Sequence, residues 1–321
     1  MIKLDAYDKK IIELLLQNSK EQVSAIGKKI RLKRENVNYK LNRLIKEGLI
    51  KEFNTILNEK KLGITHYTVF LQLRNLKEET EKKIIDYLKN HKYISWIGII
   101  AGKWSLTFDI FIFEKLQLRE VLKDLISKFG NFIDEYTVLD LQNSKLFSYK
   151  YLQSKPIKSI ENQDTKKPKL DKVDYKILSL LNKNSRTNYV EISKKTNLTP
   201  NGIKKRIKNL EKTNIIDKYS ITINFRELDY EWYGLQLKLT KFDEENLITF
   251  LKSHKKVIFY HRYIGAWDYD IGIIVRDSKE VREFINELRS KFSDIIKITD
   301  VFLVLEEVSG YSLPEGIFNI S

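Results

Sequence analysis

The sequence predicts an α+β protein made of two copies of one unit, each a small helical domain followed by a βαββαβ domain. Three observations support this prediction. The chain matches itself, first at an offset of 166 residues and then at an offset of 163. The first third of each copy places apolar residues at helical spacing. The rest of each copy alternates strand-like and helix-like segments in one order, strand, helix, strand, strand, helix, strand.

Length and composition narrow the class of protein. The chain has 321 residues, of which 42% are hydrophobic, and it contains no cysteine. That length favours two or more domains, and that composition excludes a disordered chain. The lack of cysteine excludes disulfides, cysteine-based zinc sites and thiol nucleophiles. No apolar run approaches a membrane span and the first residues lack a signal sequence, so we expect a cytoplasmic protein without a membrane partner.

The internal repeat defines the domain organisation. Residues 4–73 match residues 170–239 without a gap, and residues 88–129 match residues 251–292. The segment between the copies carries two prolines and mixed polar residues, which is typical of a linker. The predicted domains are 1–58 and 59–152 in copy one, the linker 153–169, then 170–224 and 225–321 in copy two, the last ending in a short tail.

The net charge of +15 is concentrated in the helical thirds of the two copies. Residues 1–58 carry +6 and residues 166–224 carry +10, whereas residues 59–152 carry +3 and residues 225–321 carry −4. A lysine-rich composition alone would spread the charge evenly. The segregation favours a polyanion-binding element at the start of each copy.

The helical third of copy two has the pattern of a winged helix-turn-helix domain. Helices are expected over Asp174–Asn182, over Tyr189–Thr196 and from Pro200 onward, with Thr199 as the N-cap of the third. The third helix buries Ile203, Ile207 and Leu210. The alternating segment Ile215–Asn224 predicts a short hairpin after it. Copy one repeats this plan, with Val37, Leu41 and Leu44 buried.

The exposed face of the third helix predicts double-stranded DNA as the partner. Asparagine bonds adenine edges, and lysine and arginine reach guanine or phosphate. The alternative is a solvated basic helix face, but matching placement in two copies favours DNA. We expect phosphate contacts mainly from lysines and base contacts from asparagines and Tyr39. The candidate residues are Asn36, Asn38, Tyr39, Lys40 and Arg43 in copy one and Asn201, Lys204, Lys205 and Lys208 in copy two.

The remainder of each copy has the ferredoxin-like βαββαβ order. Such a sheet leaves one face uncovered, and pairing with a second sheet is a common way to cover it. We therefore expect the copies to form an intramolecular pseudo-dimer, with further homo-oligomerisation left open. The matched Trp104 and Trp267 are expected to be buried in the sheet interface.

Two motifs resemble the Lrp/AsnC (feast/famine) transcription regulators. One runs Leu170-Asp171-x-x-Asp174-x-x-Ile177-Leu178-x-Leu180-Leu181 and the other is the turn Gly265-x-x-Asp268-Tyr269. The resemblance covers both copies and implies DNA binding by the winged domains and dimerisation by the ferredoxin-like domains. It also implies an amino-acid effector site around Gly265, Asp268 and Asp270. Alternatively, the two carboxylates only shape a turn.

Copy one departs from this motif because Ser105 replaces the acidic residue of the turn, so an effector site is expected in copy two alone. The four histidines show no metal-ligand spacing, and no phosphate loop or nucleophile elbow is present. We therefore expect no catalytic residues, no metal, no cofactor and no enzymatic activity. Two alternatives stay open. The chain also resembles the plan of sirohaem decarboxylases, where His261 would be the residue to suspect, and an effector-free architectural DNA-binding protein fits the charge pattern.

Overall fold

The computed structural model describes residues 2–74, 77–147, 168–241, 244–310 and 312–319. These residues form two compact units, each of which combines parts of both copies. The winged-helix unit comprises the described parts of 1–64, 158–228 and 310–321, and the sheet unit those of 65–157 and 229–309. No helix within these described ranges has both the length and the apolar character needed to span a membrane.

The elements follow one another in the same order in both copies, except that copy two has a 3-10 turn at Phe225–Leu228 where copy one has the short helix Glu59–Leu62. Copy one contains α1 (Ala6–Gln17), α2 (Val23–Ile30), α3 (Arg34–Lys46), β1 (Ile50–Leu57), α4 (Glu59–Leu62), β2 (Thr65–Leu73), α5 (Glu78–Lys89), β3 (Ile94–Ala101), β4 (Leu106–Ile112), α6 (Lys115–Phe129) and β5 (Ile133–Leu146). Copy two contains α7 (Lys172–Lys183), α8 (Tyr189–Thr196), α9 (Pro200–Lys212), β6 (Ile216–Ile223), β7 (Glu231–Leu239), α10 (Glu245–Ser253), β8 (Val257–Ile264), β9 (Tyr269–Val275), α11 (Ser278–Phe292) and β10 (Ile296–Ser309). The predicted α+β class with its two repeated domains is confirmed.

Local chemistry explains where the helices of the winged-helix unit begin. The carboxylate of Asp5 accepts hydrogen bonds from two backbone amides at the start of α1. Thr199 caps α9 through a bond from the Gly202 amide, and Pro200 occupies the first helical position, as predicted. The predicted buried faces of the third helices are confirmed, with Val37, Leu41 and Leu44 in α3 and Ile203, Ile207 and Leu210 in α9.

Strands β1 and β6 pair with each other and join the two winged helices. They run antiparallel, with Phe53 opposite Ile221 and Thr55 opposite Tyr219. The hairpin predicted over Ile215–Asn224 is therefore wrong, because the partner of this strand comes from the other copy. Alternating polarity identifies a strand but not the strand with which it pairs.

Polar contacts reinforce this connection between the copies. The hydroxyls of the equivalent residues Ser19 and Ser185 lie 2.7 Å apart. The amide of Asn54 in β1 donates to the hydroxyl of Thr222 in β6, and Thr55 donates to the Leu181 carbonyl at 2.6 Å. The two winged helices therefore share one buried contact surface inside the unit.

The C-terminal segment binds to copy two of the winged-helix unit. The Asn182 side chain at the end of α7 donates to the Leu313 carbonyl (2.9 Å) and accepts from the Leu313 amide (3.0 Å). Ile317 is fully buried, and Glu315 forms an exposed ion pair with Lys183. In copy one the residue equivalent to Asn182 is Leu16.

The sheet unit is one closed sheet of eight strands, in the order β10-β3-β4-β2-β5-β8-β9-β7. Within it, β3-β4-β2-β5 and β8-β9-β7-β10 are the ferredoxin-like sheets of the two copies, and the contacts β5–β8 and β3–β10 join them. The helices pack on the outer faces over separate cores, represented by Val69, Phe108 and Leu125 in copy one and by Leu235 and Ile271 in copy two. The inner faces of the two sheets face each other.

Candidate nucleic-acid interface and interior polar cluster

The exposed faces of α3 and α9 contain most of the predicted DNA-binding residues. On α3, Asn36 and Asn38 are exposed, and the side chain of Tyr39 is 70% exposed. On α9, the predicted residues Asn201, Lys204, Lys205 and Lys208 are all exposed. The three lysines make no ion pair with the described residues. Their charges are available to a polyanion.

Lys40 and Arg43 lie in a different environment from the one predicted. The Lys40 ammonium contacts both Asp5 and Asp8 at the start of α1. The Arg43 guanidinium lies 2.6 Å from Asp8, whose side chain is fully buried. The hydrogen bond from Lys40 holds the pKa of Asp5 at about 2. Because these cations are already paired inside the domain, we remove Lys40 and Arg43 from the set of DNA contacts.

Arg206 in copy two occupies the position equivalent to Lys40 and makes the equivalent contacts. Its Nη1 atom lies 2.8 Å from both Asp171 and Asp174 at the start of α7. These side-chain hydrogen bonds raise the pKa of Arg206 above its ordinary value. Sequence reasoning missed this function, although an Asp-x-x-Asp pair followed by a cation 35 residues after its first aspartate in both copies is a usable signal. In each copy the ion pairs attach the third helix to the first.

Two further cations belong to the contact between the copies. The Lys20 ammonium lies 4.7 Å from the centre of the Tyr219 ring, and burial lowers the pKa of Lys20. The equivalent Arg186 donates to the Ser19 carbonyl at 2.7 Å and stacks on Phe53. These contacts assign both residues to the interface between the winged helices.

The predicted effector residues are divided between two environments. Asp268 accepts a 2.7 Å hydrogen bond from the Leu239 amide, and its other oxygen lies 3.9 Å from the Lys238 ammonium. Lys238 also donates to the Gly265 carbonyl at 3.3 Å. A Cβ atom at Gly265 would lie 2.5 Å from the Leu139 side chain, which explains the glycine. Gly265 and Asp268 are therefore close together at the turn.

Asp270 belongs instead to the inside of the closed sheet. It is 5% exposed, and its Oδ1 atom has no hydrogen-bond partner among the described residues. Burial, helped by the nearby charge of Asp109, raises the pKa of Asp270 to about 8. The expectation that Asp268 and Asp270 form one site is corrected, because Asp268 bonds to the end of the neighbouring strand while Asp270 points into the interior.

A cluster of polar side chains surrounds Asp270. Gln236 and His261 occupy the register positions beside it on β7 and β8. From the other copy, Asp109 accepts from Thr68 at 2.7 Å and lies 3.2 Å from His66. The two copies thus contribute different polar groups to one interior. Sequence reasoning missed most of this cluster, although polar residues at alternate positions of apolar strands are a usable signal.

Contacts across the interior connect the two halves of this cluster. The Tyr263 hydroxyl donates to Thr68 at 3.0 Å. Burial lowers the pKa of His261 to about 3, so its imidazole is neutral at physiological pH. No group of three or more histidine or acidic residues in the described ranges is arranged to hold a metal ion.

Aromatic rings fill most of the remaining interior. A Cβ atom at Gly234 would overlap the Phe302 ring and one at Gly272 would overlap the Phe259 ring, at 2.0 and 2.1 Å. Trp104 and Trp267 are both buried, as predicted. The arrangement is a packed interior in which aromatic rings lie around the polar cluster.

Comparison with known proteins addresses the helical domains first. The family model for winged helix-turn-helix DNA-binding domains matches residues 4–51 and 170–217, once in each copy. An uncharacterised HTH-type transcriptional regulator of Pyrococcus furiosus is 31% identical over 144 residues, which is 43% of this chain and 93% of that protein. LrpA of Pyrococcus horikoshii is 28% identical over 142 residues, which is 43% of this chain and 99% of LrpA. The chain belongs to the Lrp/AsnC family of HTH-type transcriptional regulators. Each of these relatives corresponds to about one copy, so this family member is a tandem duplication.

Solved structures of one protein match this member of the Lrp/AsnC family along almost its whole length. The sirohaem decarboxylase NirDL covers 97% of this chain, and 96% of NirDL is covered in return, with a TM-score of 0.65 and 10% identity. At that identity the likeness establishes the fold alone. It overturns the sequence-based exclusion of an enzyme, because a chain with the same fold from end to end is a decarboxylase.

Proposed function

We propose that this member of the DNA-binding regulator family recognises specific DNA sites as a covalent pseudo-dimer. The observation that supports the proposal best is the union of both winged helices in one unit through β1 and β6. Two DNA-binding domains held in one body present two third helices to the same duplex. Domains of this kind dock such a helix in the major groove.

The charge on α9 supplies the electrostatic part of binding. Lys204, Lys205 and Lys208 are exposed, and each phosphate contact lowers the logarithm of affinity by about 0.9 per tenfold rise in salt. Replacing all three lysines by alanine is expected to reduce the slope of log affinity against log salt concentration by up to about 2.7.

The experiment measures the affinity for DNA sites selected from a random pool, at several salt concentrations. A matched control replaces Lys89, Lys115 and Lys123, three exposed lysines of the sheet unit, by alanine. The control is expected to bind like the wild type. Absence of DNA binding by the wild type at low salt would refute the proposal.

We also propose that the turn at Gly265 binds an amino-acid effector. Lys238 and Asp268 lie side by side there, both partly exposed. Their opposite charges complement the carboxylate and ammonium of an amino acid. Calorimetry with a panel of amino acids is expected to give heat with the wild type, reduced heat with Asp268→Ala and unchanged heat with a control at the exposed Asp294→Ala. No heat with any amino acid would leave an effector-free regulator.

A second candidate function is a decarboxylase acting on a tetrapyrrole. The specific observation in its favour is the interior cluster of His66, Asp109, His261 and Asp270. NirDL has been crystallised with an iron-uroporphyrin III analogue. Binding inside the closed sheet would require the rings of the aromatic filling to move. Titration with iron-uroporphyrin III is expected to shift its absorbance in the wild type and less in His261→Ala. An unchanged spectrum would reject this candidate.

A further inference from the structure

The third helices of the two copies have equal frameworks but different exposed chemistry. α3 and α9 each span 13 residues at an offset of 166. Their buried residues correspond one to one, and each carries a cation at the same position, Lys40 or Arg206, that is paired to the first helix. In α3 a second cation, Arg43, is paired to the first helix as well. Because the frameworks match, the differences between the exposed faces can be compared position by position.

Copy two presents cations along the exposed face of its helix. Between residues 201 and 208 the exposed side chains are Asn201, Lys204, Lys205 and Lys208. Lysine is a flexible point charge that contacts phosphate without distinguishing bases. Three of the four exposed side chains between residues 201 and 208 therefore suit the DNA backbone.

Copy one presents uncharged or acidic groups at the equivalent positions. Between residues 35 and 42 the exposed side chains are Glu35, Asn36, Asn38, Tyr39 and Asn42. Asparagine bonds adenine bidentately, and a glutamate accepts from cytosine but repels phosphate. The exposed cations Lys33 and Arg34 come before this stretch, at the start of the helix. The face of α3 therefore suits base edges.

We infer that the two recognition helices divide the work of binding: α3 reads the sequence and α9 holds the phosphate backbone. The inference rests on the proposed function and specifies how its site is used. The DNA target is then one well-defined half-site beside one that tolerates many sequences. In a symmetric pair of identical subunits, by contrast, both recognition helices would present the same exposed face, which favours two equal half-sites.

The first test compares two triple variants on selected and on random DNA. The triple variant Lys204→Ala, Lys205→Ala and Lys208→Ala is expected to lower the affinity for selected DNA and for random DNA by the same factor. The triple variant Asn36→Ala, Asn38→Ala and Tyr39→Ala is expected to lower the affinity for selected DNA about tenfold or more. Its affinity for random DNA and the salt dependence of its binding are expected to stay unchanged. All six positions are exposed, and thermal unfolding checks that both variants fold.

The second test converts the face of α9 into that of α3. The change combines Gly202→Asn, Lys204→Asn, Lys205→Tyr and Lys208→Asn, and a Cβ atom at Gly202 makes only ordinary contacts, the nearest at 3.4 Å. Selection from random DNA is expected to return two matching half-sites for this variant and one defined half-site for the wild type.

The outcomes separate the inference from the proposed function. The division of work is overturned, while DNA recognition stands, by either of two results. One is selection of two equal half-sites by the wild type. The other is an α3 variant whose affinity for random DNA falls as much as its affinity for selected DNA. A wild type that binds no DNA overturns both.

Discussion

Copy one and copy two agree where side chains pack against their own helices and differ where the copies meet each other. In the closed sheet, Phe70 and Gly98 flank Thr107 in copy one, whereas Gln236 and His261 flank Asp270 at the equivalent positions of copy two. The strand registers coincide in the two copies. The same backbone therefore carries an uncharged set with a single hydroxyl in one half, and an amide, an imidazole and a carboxyl in the other.

A second pair of positions shows the opposite substitution. Thr68 and Asp109 of copy one correspond to Gly234 and Gly272 of copy two, and these glycines make room for aromatic rings. In a symmetric dimer of identical chains every interior residue occurs twice, so a buried carboxyl such as Asp270 would bring a second one with it. Covalent duplication removes that constraint, and the interior has become asymmetric.

The prediction with the largest expected effect concerns the polar half of this interior. In Asp270→Asn we expect a higher free energy of unfolding than in the wild type, by an amount that grows between pH 4 and pH 8. The folded carboxyl keeps its proton up to a pKa of about 8, whereas the unfolded one loses it near 3.8. Wild-type stability from this group is complete below that lower pH and is lost as the pH rises through the window.

At about 1.4 kcal/mol per pKa unit, the difference at pH 8 is on the order of 5 kcal/mol. Chemical denaturation at several pH values measures it. The exposed Asp294→Asn serves as control and is expected to show no such growth with pH. An equal difference at pH 5 and pH 8 would show that burial and the nearby charge of Asp109 do not hold Asp270 in its protonated form.

The next effect compares equivalent ion pairs in the two winged helices. Asp8→Asn is expected to lower the free energy of unfolding by about 2–3 kcal/mol, because the fully buried carboxylate satisfies both Lys40 and Arg43. Asp174→Asn is expected to cost about 1 kcal/mol, because the carboxylate is 14% exposed and pairs with one cation, Arg206. Denaturant titration measures the free energy of unfolding of both variants. Equal losses of free energy in the two variants would contradict the difference between the copies.

A smaller effect tests the C-terminal segment, which binds copy two only. Asn182→Leu places the residue of copy one at this position and leaves the Leu313 amide and carbonyl unpaired. The expected cost is about 1–2 kcal/mol. Hydrogen exchange of the Leu313 amide should accelerate, and unchanged exchange would mean that the segment is held by its apolar contacts.

The smallest effect is expected at the exposed contact of the same segment. Lys183 and Glu315 are 61% and 71% exposed in their ion pair. Because solvent screens such pairs, Lys183→Ala is expected to change the free energy of unfolding by less than about 0.5 kcal/mol. A loss comparable to that of Asn182→Leu would show that charge, and not the buried amide, holds the segment.

The sequence predicted the features that repeat within one copy. Helix faces such as Val37, Leu41 and Leu44 follow a local period, and Thr199 and Pro200 mark a helix start through local chemistry, so neighbouring residues suffice to find them. The fold class and the family followed from these patterns.

Features that depend on distant residues were missed or misassigned. The pairing of β1 with β6 replaced an expected hairpin, because strand polarity carries no information about the partner. Lys40 was assigned to DNA because the helix period places it near the exposed face, and only the structure shows Asp5 and Asp8 beside it. Asp270 was grouped with Asp268 because the family resemblance implies a site around this turn, although the two side chains lie in different environments.

The pairing of β1 with β6 also has a consequence for synthesis of the chain. The partners lie about 166 residues apart, and at about 5–20 residues per second a ribosome needs roughly 10–30 s to make that length. During this interval β1 has an unpaired edge, the kind of surface that recruits strands from other molecules. Nascent chains close together on one messenger are therefore exposed to exchange of their first copies. Copy one must therefore fold into a form that stays unpaired with other molecules until copy two of the same chain has been synthesised.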